Sequence, residues 1–96
     1  MTKKEIVLKI AEETDIKQID VKKVVQRTLD HIVDALRGGE TVELRNFGVF
    51  KVRSRRPRVG RNPKTGARVE VPSKRIPYFK PSKELKDLVN HGTGEA

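Results

Sequence analysis

The order of patterns along the chain predicts an α+β fold, with helices first and an antiparallel sheet after them. Three observations carry this reading. Up to Leu36 the apolar residues recur at helical spacing, and from Thr41 the period drops to two. Between Lys51 and Arg68 stand eight basic residues (Lys51, Arg53, Arg55, Arg56, Arg58, Arg61, Lys64, Arg68) and no acidic one. A segment so charged and so poor in apolar residues cannot form a core of its own, and it reads as a two-stranded arm built to grip something negative.

The elements follow in chain order. Thr2 and Glu5 have capping-box spacing, and Ile6, Val7, Ile10 and Ala11 share a face, which predicts a first helix over about 3–13. Val21, Val24, Val25, Thr28, Leu29, Ile32, Val33 and Leu36 form one broad stripe of a second helix over about 18–37, stopped by Gly38 and Gly39. Its start is poorly capped, because Lys17 stands where Ser, Thr or Asp is expected. Val42 and Leu44 alternate with Glu43 and Arg45, and Asn46, Phe47 and Gly48 turn the chain into Val49, Phe50 and Val52. The second strand runs on as the arm, over about 53–75. Asn62 to Gly66 supply the turn at its tip, and Val69 and Val71 alternate on the return. Pro57, Pro72 and Pro77 are expected to interrupt the ladder and so guard its edges against aggregation. Pro81 and Ser82 open a short last helix through Leu85, Leu88 and Val89 to about Asn90, with one domain over 1–92 and a flexible tail at 93–96.

The charge is unevenly divided. Residues 1–50 hold nine Lys and Arg against nine Asp and Glu, while residues 51–96 hold thirteen against four, so the whole net charge of +9 lies in the second half. Nucleic acid is the first partner this suggests. With no cysteine there is neither a disulfide nor a thiolate metal site to staple so small a chain, and oligomerisation is the remaining way to complete a core. No apolar run approaches the roughly 18 residues of a membrane span, and the reading is of a soluble intracellular protein without a membrane partner.

Asn46-Phe47-Gly48-Val49-Phe50, Arg55, Arg58, the run Gly60-Arg61-Asn62-Pro63-Lys64-Thr65-Gly66, and Phe79-Lys80-Pro81 followed by Lys83-Glu84-Leu85-Lys86 resemble the bacterial HU/IHF family of histone-like DNA-binding proteins. The likeness runs without apparent gaps from residue 1 to about 90. It implies an intertwined dimer, with a helical base and a three-stranded antiparallel sheet extended into a long β-ribbon arm. It also implies that the arms reach around bent DNA with the tip proline wedged between base pairs, at the nucleoid. Lys17 and the polar Arg45-Asn46 pair depart from the usual pattern. An HU-type general binder is favoured, with a sequence-preferring IHF-like factor or a structured-RNA binder as alternatives, and kinked or nicked DNA and RNA as further ligands.

The residues sort by role. Lys51, Arg53 and Arg55 share one parity about 6.6–7 Å apart, a spacing suited to successive phosphates. Arg58, Arg61, Asn62, Lys64 and Arg68, nearer the tip, are candidates for the minor groove, where readout is mostly of shape. Pro63 is rigid, apolar and without an N–H, which fits it to intercalate into a base step. Lys80, Lys83 and Lys86 around the last helix start, with Lys3 at the first, suit phosphate oxygens, and Lys74 and Arg75 complete the DNA-binding set. Phe47, Phe50 and Phe79, with Leu29, Ile32, Leu36 and Leu44, are expected in the core of a homodimer rather than as base-stacking platforms. His31 between Asp30 and Asp34 lies mainly off the apolar stripe and reads as a solvated face, not a metal site. Pro63 occupies the place of a backbone donor that a phosphate-binding loop needs, and no nucleophile and base are paired, so neither catalysis nor a cofactor is expected.

Overall fold

The computed structural model describes residues 1–55, 58–71 and 73–91, with the backbone alone at residues 55, 58 and 69–71. Helix α1 spans Lys3–Thr14 and α2 spans Gln18–Arg37. Strands β1 (Val42–Leu44), β2 (Gly48–Arg55), β3 (Arg58–Arg61), β4 (Arg68–Val71) and β5 (Lys74–Pro81) follow, then α3 (Lys83–Asn90). Pro57, Pro72 and the tail at 93–96 lie outside the described residues.

Local chemistry sets the helix ends. The Thr2 hydroxyl accepts from the Glu5 N–H at 3.3 Å, and the Glu5 carboxylate takes a hydrogen bond back from that hydroxyl. Lys17 makes no side-chain cap, as its chemistry dictates. At the other end of α2, Glu40 N–H donates to the Ala35 carbonyl and Gly39 N–H to that of Leu36, with Gly39 at φ 81°. This is a Schellman closure, and it needs a left-handed residue at Gly39. Ser82 caps α3 by accepting from Leu85 N–H at 3.0 Å.

Strands pair antiparallel in the order β1-β2-β5, and β3 pairs with β4. Arg55 faces Lys74, and three residues further on each strand Arg58 faces Val71, so one register runs from the sheet into the arm. The first hairpin closes through Phe47 N–H to the Leu44 carbonyl, with Asn46 at φ 64°. Gly48 is therefore no turn residue. It is buried in β2 opposite Pro81, where a Cβ would meet the Phe79 ring and lie 2.6 Å from the Lys80 carbonyl oxygen. Pro77 likewise does not interrupt the ladder: it pairs with Val52 on β5, an edge strand that tolerates a missing N–H.

The core of one chain is unfinished. Among the described residues only Val7 and Val21 are buried hydrophobics, while Leu29 is 43% and Phe47 46% exposed. The accessible surface is 8634 Å², against about 5,600 Å² for a compact chain of this mass. The radius of gyration is 19.7 Å where about 12–13 Å is usual. The projecting arm and the bare apolar faces of α2 and the sheet both contribute to this excess. Phe47, Phe50 and Phe79 cluster on the sheet, and Leu29, Ile32 and Leu36 remain half-buried or exposed along α2. These surfaces belong to a core that the single chain does not close.

Candidate nucleic-acid interface

Pairing register decides which side chains share a face. Phe50 and Phe79 stand opposite each other, as do Val52 and Pro77, and this face looks toward α2, since Val52, Arg75 and Pro77 line one cleft with Val33, Leu36 and Arg37. Lys51, Arg53, Tyr78 and Lys80 occupy the other face, away from α2. The alternation that puts Phe50 and Phe79 inward thus puts Lys51, Arg53 and Lys80 outward. Lys74 is exposed where the ribbon leaves the sheet. The side chains of Arg55 and Arg58 lie outside the described residues.

Arg53 is stacked over Tyr78, with its guanidinium carbon 4.5 Å from the ring centroid. A ring under the cation limits its rotamers and holds the charge on the outer face. Tyr78 is a residue that composition does not single out. Its signal is parity: once Phe79 is inward, Tyr78 must face outward.

At the arm tip the turn is tied to itself. Gly66 N–H donates to the Asn62 carbonyl at 2.7 Å and Asn62 N–H to that of Ala67 at 2.8 Å. The Asn62 side chain accepts from Lys64 N–H at 2.8 Å, and Thr65 Oγ1 accepts from Ala67 N–H at 3.2 Å. Gly66 adopts φ 72°, which a β-carbon would strain. Pro63 and Lys64 sit exposed within this turn, and Arg61 and Arg68 pair directly opposite each other beneath it. The apolar ring is thus presented by a turn fixed in advance, with two guanidinium groups at its base.

A second basic concavity lies on the body. Arg45, Lys51, Lys80, Lys83 and Lys86 line one cleft with Ser82, and Glu43 and Glu84 are also at its wall, leaving cations in excess. Ser82 N–H donates to the Phe47 carbonyl at 2.9 Å, docking the start of α3 against the first hairpin turn. Arg45 joins this group although charge counting assigned it no role. Its position in the turn, one residue before Asn46, is what brings it there.

Two predicted contacts are placed differently. The Lys3 ammonium donates to Gln26 on α2, and Gln26 in turn donates to Asp30, so Lys3 is part of an interhelical chain. Arg75 faces the helices: its Nη2 donates to the carbonyls of Arg37 at 3.0 Å and Leu36 at 3.3 Å. It shares parity with Pro77 and Phe79, and that is why it leaves the cationic face. Asp30 is engaged with Gln26 and Arg27, and the solvated-face reading of the His31 segment stands beside these contacts. Among the described residues no helix is long and apolar enough to cross a membrane.

The family described as bacterial DNA-binding protein matches residues 1–90. The chain is 46% identical to the integration host factor subunit beta of Marinomonas sp. (strain MWYL1) over 91 residues, covering 94% of this chain and 89% of that protein. It is 45% identical over 91 residues to the corresponding subunit of Vibrio cholerae serotype O1 (strain ATCC 39541 / Classical Ogawa 395 / O395), covering 94% and 99%. Among solved structures, an Anabaena HU–DNA cocrystal superposes with a TM-score of 0.82 at 35% identity, covering 95% of this chain and 99% of that one. HU from Thermotoga maritima gives 0.67 at 31%, covering 93% and 98%.

Proposed function

The chain belongs to the HU/IHF family of bacterial DNA-binding proteins, architectural, nucleoid-associated and dimeric, and from that premise we propose how it engages DNA. Residues 1–92 form one DNA-binding unit that pairs as a homodimer in the nucleoid of the cytoplasm. It binds duplex DNA in the minor groove with little sequence specificity. Lys51, Arg53, Arg55, Lys74 and Lys80 neutralise phosphates along the saddle, and Arg58, Arg61, Asn62, Lys64 and Arg68 follow the groove. Lys83 and Lys86 hold the backbone beside the body. Pro63 of each arm enters a base step and bends and compacts the duplex. HU and IHF are themselves standard examples of such insertion.

The observation that carries this reading is the arm tip: an exposed proline on a turn tied by four hydrogen bonds, above the facing Arg61 and Arg68. The test is binding to a random-sequence duplex across a salt series. Log affinity should fall with log salt at about −0.9 per phosphate neutralised, and a slope near zero would overturn the reading. Duplex RNA should compete poorly, because its deep, narrow major groove and shallow minor groove do not suit the ribbon.

A second reading has its own support. The curated relatives described above carry the name of an integration host factor subunit, which favours a sequence-preferring IHF-like factor, and a subunit named beta suggests a non-identical partner chain. Measured affinities for selected and random sites decide between the two, since a specific binder shows a ratio of about 10³ or more.

A further inference from the structure

Arg75 is the only cation of the predicted DNA-binding set whose guanidinium, among the described residues, is held by the carbonyl end of a helix. Helix α2 ends at Arg37, and the Schellman closure through Gly39 occupies the carbonyls of Ala35 and Leu36 with the N–H groups of Glu40 and Gly39. The carbonyl of Arg37, last residue of α2, receives Arg75 Nη2 at 3.0 Å, and Leu36 shares its oxygen with the same nitrogen at 3.3 Å. A β-carbon on Gly39 would lie 3.6 Å from that nitrogen, so the guanidinium rests directly on the closing turn. The contact also complements the partial negative charge at a helix C-terminus.

Arg75 belongs to the second residue pair of β5, opposite Ser54, where the sheet becomes the arm. One side chain therefore joins the root of the ribbon to the end of the longest helix, 38 or 39 residues earlier in the chain. We propose that Arg75 is a positioning residue for DNA bending: it sets the angle at which the arm leaves the body and contacts no phosphate. The proposal rests on the arms gripping DNA, as argued above.

Planarity explains the residue type. Both bonds run through one nitrogen, whose two N–H groups the rigid, permanently charged guanidinium holds in fixed directions, whereas a lysine ammonium at the same place is a mobile point charge.

The experiment uses the full-length dimer with Arg75→Gln and Arg75→Lys. The chain has no cysteine, so a single Ala67→Cys label near the arm tip reports the distance between the two arms by pulsed electron spin resonance. Arg75→Gln should widen that distance distribution at least 1.5-fold, weaken binding to a random 30-base-pair duplex about fivefold, and reduce the FRET-measured bend. Arg75→Lys should fall between it and the parent. The salt slope should not change in either variant. If Arg75 touched phosphate, the Gln variant would lose about 0.9 of slope per protomer while the Lys variant kept it, and that outcome overturns the proposal. An unchanged arm distribution overturns it as well. Should Arg75→Gln fail to fold, Arg75→Lys alone decides by its distribution and bend. A flat salt slope for the parent protein would instead count against the DNA-binding mode, and the arm distances would still report on Arg75.

Discussion

Phe50 and Phe79 face each other across the β2–β5 ladder with ring centroids 4.7 Å apart, and Phe79 lies 5.4 Å from Phe47. This cluster is the sheet's contribution to a core that one chain leaves open. Phe50→Ala should remove about 3–5 kcal/mol of dimer stability. Urea unfolding at several protein concentrations checks this, and a loss below about 1 kcal/mol would take the cluster out of the core.

Gly48→Ala tests the closest approach in the sheet. The added carbon meets the Phe79 ring and the Lys80 backbone carbonyl at 2.6 Å, and the backbone has little room to yield. A cost of about 1–3 kcal/mol is expected from such overpacking. Thermal unfolding gives the answer, and a neutral substitution would mean that the strands separate easily here.

Pro63→Ala should weaken DNA bending while leaving the salt slope as it was. The turn keeps its hydrogen bonds through Asn62, Thr65 and Gly66, and only the rigid apolar ring is lost. FRET on an end-labelled duplex reads the bend, and an unchanged angle removes the wedge from the mechanism.

Tyr78→Leu removes the ring beneath Arg53 without touching a charge. A cation–π contact at an exposed site is worth about 0.5–1 kcal/mol, so affinity should drop about two- to fivefold. Equilibrium titration measures it, and parent-like affinity would show that Arg53 needs no support.

Lys17→Ser should stabilise the protein by about 0.5–1 kcal/mol. The N-cap position of α2 has no side-chain acceptor, and Lys17 already has extended backbone dihedrals, φ −58° and ψ 138°. Denaturant midpoints of the dimer test this, and no gain would mean that those N–H groups are satisfied in another way.

Helix ends and the arm tip are legible in the sequence because their causes are local. Thr2, Ser82, Gly39 and Gly66 act on groups only a few residues away. Gly48 is different: its composition suggests a turn, while the ring that demands glycine arrives from Phe79, far along the chain. Charge counting sets Arg75 among the DNA-binding cations and passes over Tyr78 for a related reason. Their faces depend on strand pairing, which moves a side chain from the outer face to the helix face in a step of one residue. Arg45 enters the body cleft only through the hairpin that folds it beside α3.

The common register on both sides of the arm root also restricts how such a protein can vary over evolutionary time. A single-residue insertion on one strand alone would turn the side chains beyond it to the other face or force a bulge. Matched additions of two residues on both strands keep the ladder and its faces. Reach along the duplex becomes a stepwise heritable quantity, with roughly 6.6–7 Å per permitted increment.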